Sequence, residues 1–215
     1  MTAIIRLEEW DVHQCLGDFD LTQEKLVDVV VASATAYGGA TDNDPPSAKG
    51  WDTWRWGVRR IREILRPEGW DKDDTGGFST VVNHKRRIRI ACVRTDDATG
   101  MPGERSPQNR LPKGVVNERA TTINQLSLPM AAEWPRPEVG IDEYQTWHLC
   151  VYIEGDVVRA ELSRFNGFEA GHLADCYERI ILLGDGDWDK LDFCGLDRGL
   201  DDLGPDFDVD IKRKK

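Results

Sequence analysis

Residues 20–39 place Leu26, Val29, Val30, Ser33 and Tyr37 at helical spacing and so read as a helix. Asp20 or Thr22 can accept from the unpaired backbone donors at its start, and Gly38 and Gly39 suit its end. The small, polar stretch 39–49, with Pro45 and Pro46, reads as a loop. Residues 50–66 form a second helical pattern, closed by Pro67 and Gly69. Trp54, Val58, Ile61 and Leu65 make its apolar stripe, and Arg55, Arg59, Arg62 and Arg66 repeat the spacing one position on.

The pattern then changes to strands. Phe78–Asn83 is one, and Arg86–Arg94 alternates Ile88, Ile90 and Cys92 with Arg87, Arg89, Ala91 and Val93. From Thr95 to Gly114 periodicity stops, leaving a long loop rich in glycine and proline. Residues 115–128 are ambiguous, and residues 129–140 carry several prolines.

The clearest local signal spans Thr146–Arg164, where two alternating runs flank Glu154-Gly155-Asp156. Gly155 fits the first central position of a two-residue II′ turn. That turn pairs Glu154 with Val157, Ile153 with Val158, Val151 with Ala160 and Leu149 with Leu162. One hairpin face is then wholly apolar, and the other carries His148, Cys150, Tyr152, Arg159, Glu161 and Ser163. A slip of one residue would set apolar against polar, so the register is well specified. Arg179–Leu183 reads as a further strand.

These elements predict an α+β fold, a mainly antiparallel sheet with the two N-terminal helices packed on one face. Residues 1–184 form the expected single domain, and residues 185–215 an acidic C-terminal segment anchored by Trp188, Phe193 and Phe207.

Charge sharpens this picture. The 215-residue chain carries a formal net charge of -11, yet residues 51–120 hold 15 basic against 10 acidic residues. The overall sign argues against a general nucleic-acid coat protein, which gains affinity by releasing counterions from phosphates. A basic segment in an acidic chain still fits a focused anion site. No apolar run reaches the ~18 residues of a membrane helix, and the start lacks the pattern of an export signal. Five cysteines at irregular spacing argue against a disulfide framework, so a reducing, cytoplasmic setting is expected.

Three constellations can carry chemistry. In the basic middle, Trp51, Trp54, Trp56 and Trp70 stand near the arginine stripe, with Arg87 and Arg89 on a strand face. Guanidinium groups bind phosphate bidentately and tryptophan offers a stacking surface. The candidate ligand-binding residues are Arg55, Trp56, Arg59, Arg62, Arg87 and Arg89, together with the loop Thr95–Gly114. His148, Cys150, His172 and Cys176 are of metal-ligating type, but their spacing matches no zinc pattern, so no metal or cofactor is expected. The polar hairpin face, with Glu161 opposite Cys150, has the residue types of a metal-dependent hydrolase.

The resulting expectation is a binding protein for an anionic ligand, nucleic acid or nucleotide. One alternative is an acidic inhibitor or adaptor acting on a basic protein, whose carboxylates imitate phosphates. The other is a hydrolase working on the polar hairpin face.

Overall fold

A computed structural model describes residues 3–103, 105–110 and 144–191. The stretches 115–128 and 129–140, Cys194, and the acidic segment beyond Leu191 lie outside the described residues.

In chain order the elements are β1 (Ile4–Arg6), α1 (Glu9–Gly17), α2 (Gln23–Gly39), α3 (Ala48–Leu65), β2 (Asp71–Asp73), β3 (Thr80–Asn83) and β4 (Ile88–Arg94). After residues 95–144 follow β5 (Gln145–Glu154), β6 (Val157–Phe165), β7 (Phe168–Glu169), β8 (His172–Leu173) and β9 (Cys176–Leu183). The cap of α2 is Thr22, whose side chain accepts from the Lys25 amide at 3.4 Å. Asp20 instead takes a left-handed backbone, φ 62°, and holds the Arg86 guanidinium.

Seven strands form one sheet in the order β1-β9-β6-β5-β4-β3-β2, and β7 and β8 pair separately. The sheet is mixed rather than simply antiparallel, because β1 runs parallel to β9 and β4 parallel to β5. Three helices, not two, precede its inner strands. The first departure arises because strand direction across a long connection, and a strand as short as β1, leave no periodic mark in the sequence; the second because α1, nine residues long, buries only Val12 and Leu16 and so carries little of a helical stripe. Both edge strands are three residues long, which limits the unpaired backbone each presents.

The β5–β6 hairpin has the register expected from its alternation, with Leu149 opposite Leu162, Val151 opposite Ala160, Ile153 opposite Val158 and Glu154 opposite Val157. Gly155 has φ 57° and Asp156 stays out of the left-handed region, as a II′ turn requires. The apolar hairpin face joins Ile88, Ile90 and Ile180 under α1, α2 and α3 in one core. α2 and α3 meet where Gly57 passes Ser33; a Cβ at Gly57 would stand 2.6 Å from Ser33 Oγ.

Candidate functional site

α3 buries Val58, Ile61 and Leu65, leaving the arginines one position on at the rim of the contact. Arg55, Arg59, Arg62 and Arg66 line one wall of an open groove of about 470 Å³, with Trp54 and Val58 between them. Lys72 from β2 and Ser79 from the approach to β3 line it too. Among the described residues five cations thus face one groove, with Glu63 the one carboxylate in its lining.

Three of the arginines already have carboxylate neighbours. Arg59 meets Glu63 at 2.6 Å, Arg62 meets Asp74 at 2.6 Å, and Arg55 stands 3.5 Å from Asp52. Arg66 and Lys72 make no ion pair among the described residues. The Arg55 and Arg59 side chains remain about half exposed, whereas Arg62 is 18% exposed and also donates to the Thr80 carbonyl. The Asp74 carboxyl is held below the usual carboxylate range, first by its hydrogen bond from Arg62 and then by one from Ser79. Trp56 lies under both Arg55 and Arg59, with guanidinium carbons 5.2 and 4.8 Å from its ring. It is Trp54, not Trp56, that lines the groove. Trp51 is exposed and packs on Trp54 with ring centres 5.0 Å apart, while Trp70 is a core residue.

Arg87 and Arg89 are not brought to this groove. Arg87 is in the β3–β4 turn with φ 54°, and its carbonyl accepts from the Gln145 amide. Arg89 is buried on the sheet face opposite Ile88 and Ile90, over the ring of Tyr144. Lys72 and Ser79 were not legible as groove residues, because only tertiary packing brings β2 and β3 beside α3.

A second, smaller cavity of about 100 Å³ adjoins the groove and shares Trp54 and Ser79 with it. It lies beyond the last β3–β4 pair, Thr80 with Ala91, so its walls include Ala91, Cys92 and Val93 from β4. Phe78, His148, Phe168 and Leu173 complete it. Burial pushes the Cys92 thiol up to about 12, and the charge of Arg62 opposes that rise.

The polar hairpin face is buried too. His148, Cys150, Tyr152, Arg159, Glu161 and Ser163 all lie beneath other residues. Glu161 accepts from Arg179, Ser163 and the Gly100 amide, and Arg179 also donates to the carbonyls of Ala98, Gly103 and Arg105. Arg159 donates to the Asp97 carbonyl at 2.7 Å, and the Cys176 amide donates to Ser106 Oγ. The described part of the loop Thr95–Gly114 is therefore fastened over this face, away from α3.

Cys150 and Cys176 share a small core with Phe165, while His172 Nδ1 lies 3.1 Å from the Asn109 carbonyl oxygen. Among the described residues no three His, Cys, Asp or Glu side chains gather as a metal site would require. Burial raises the Cys150 and Cys176 thiols well above their ordinary range. The described residues hold no helix long and apolar enough to cross a membrane.

Comparison with protein-family models, with curated proteins and with solved structures gives no match to this chain.

Proposed function

We propose that the protein binds an anionic ligand, a nucleotide or nucleic acid, in the groove along α3. The observation that carries this reading is the alignment of Arg55, Arg59, Arg62, Arg66 and Lys72 beside Trp54 in one open cavity. Such a cluster focuses a positive field locally although the chain as a whole is at -11. Guanidinium groups supply bidentate phosphate contacts, and the exposed Trp51, packed on the half-buried Trp54, supplies a surface on which a base stacks.

The existing ion pairs do not close the groove. Exposed pairs contribute about 0–1 kcal/mol each, so a phosphate can displace Glu63 from Arg59 at small cost. Arg87 and Arg89 drop out of the contact set and Lys72 enters it. The four described cysteines are free thiols, which suits a reducing, intracellular compartment.

The test is charge reversal. Arg59→Glu with Arg62→Glu is compared with the unaltered protein for binding a labelled single-stranded oligonucleotide and pyrophosphate over a range of salt. Affinity should fall at least tenfold, and for the oligonucleotide the dependence of log K on log salt should flatten by about two contacts' worth. Arg55→Glu with Arg59→Glu repeats the test at the more exposed positions, sparing the contacts that Arg62 makes to β3. Undiminished binding in both double variants rejects the groove.

A further inference from the structure

The groove ends at Trp54 and Ser79, and the smaller cavity begins there. Ser79 Oγ donates to Asp74 Oδ1 at 2.7 Å, and Arg62 Nη2 donates to the same oxygen at 2.6 Å. The junction therefore carries an ion pair, and a phosphate reaches the Arg62 guanidinium there by displacing the half-exposed Asp74 carboxylate.

The two compartments differ in chemistry. The groove is cationic. The cavity is ring-lined and of mixed polarity, with Ser79 and His148 in its wall and the His148 ring 6.5 Å from Phe78 and 6.4 Å from Phe168. Such rings favour an aromatic guest presented edge-on or offset. Size narrows the guest further. At about 100 Å³ the cavity has some two-thirds of the volume of an apolar cavity of about 150 Å³ that takes benzene. It admits one ring with an edge left in the mouth, and it excludes a fused pair of rings.

We infer that the groove and the cavity form one site for a phosphate monoester whose organic part begins with a single ring. The ring enters between Phe78, Ala91 and Phe168, and the phosphate rests on Arg62 and Arg59. This inference rests on the anion-binding reading above and adds the class of small molecule that the site selects.

The experiment compares phenyl phosphate with inorganic phosphate on the full chain at low salt, followed by titration calorimetry. Phenyl phosphate should bind at least tenfold more tightly. Ala91→Leu, which fills the cavity, should abolish that gain while leaving the affinity for inorganic phosphate unchanged. A methyl-resolved NMR titration of the unaltered protein guards against a misfolded variant. Phenyl phosphate, but not inorganic phosphate, should shift the signals of Ala91, Val93 and Leu173. Equal affinities for the two anions, or shifts confined to groove residues, overturn the inference and leave the groove standing. Failure of both anions to bind, with the oligonucleotide and pyrophosphate also unbound, removes the groove reading and this one together.

Discussion

Glu161 and Arg179 form a two-point ion pair, with Arg179 Nε 2.9 Å from Oε1 and Nη2 2.6 Å from Oε2. Neither side chain is more than 1% exposed. Arg179 stands opposite Ser163 across β6 and β9, so Glu161, two residues along β6, is its diagonal neighbour on the same face. A buried pair is weak evidence of net stabilisation, since two charges must leave water. Its partners show what it does here. The remaining donors of Arg179 go to three carbonyls of the 95–110 segment, and Glu161 takes the Gly100 amide.

Glu161→Gln leaves the Arg179 charge buried and uncompensated, and should cost about 3–5 kcal/mol of unfolding free energy. Adding Arg179→Met removes that stranded charge and should recover part of the loss. Urea unfolding of both variants measures this. A loss below about 1 kcal/mol for Glu161→Gln would mean that the pair does not hold the segment.

Gly100 has φ 71°, and a Cβ there would stand 2.5 Å from the Leu183 carbonyl oxygen and 2.9 Å from Arg159 Cβ. Both backbone strain and a clash with backbone follow, so Gly100→Ala should destabilise by about 1–3 kcal/mol or more. Thermal unfolding checks this. The same change at Gly103, where a Cβ meets nothing within 4 Å, serves as the control.

Cys92 should resist alkylation in the folded protein, its thiol being raised by burial from 9.0 to about 12. The unfolded chain gives up this proton first. The Cys92 contribution to stability is therefore complete below about pH 9 and is lost progressively as pH rises towards 12. Iodoacetamide labelling at pH 8, read by mass spectrometry, should leave Cys92, Cys150 and Cys176 unmodified until denaturant is added. Rapid labelling of Cys92 under native conditions would contradict its burial.

Glu63→Gln removes the carboxylate that competes for Arg59 at 2.6 Å. If phosphate and Glu63 share that guanidinium, affinity for pyrophosphate should rise, by about fivefold at most, the equivalent of 1 kcal/mol for an exposed pair. Calorimetric titration at low salt measures it, and a fall in affinity would show that Glu63 supports the ligand instead of opposing it.

Legibility from sequence followed the range of the interactions. The hairpin register was readable because alternation and Gly155 both act within a few residues. The apolar stripe of α3 and its neighbouring arginines were readable for the same reason, at helical spacing. Lys72 and Ser79 were not, since nothing near them in the chain marks their approach to α3. The burial of Glu161 was also hidden. A polar strand face reads as solvated unless its cover is known, and here the cover is an irregular segment held by main-chain carbonyls. Arg89 misled for a related reason, because its charge suggested exposure while Tyr144 and the sheet enclose it.

The Gly100 amide gives its hydrogen to a carboxylate that water does not reach. Deuterium can replace that hydrogen only when this bond opens and water reaches a carboxylate that Arg179 also holds. An irregular stretch that would ordinarily exchange in seconds should thus keep its proton about as long as the central strands do, and unfold with them as one unit.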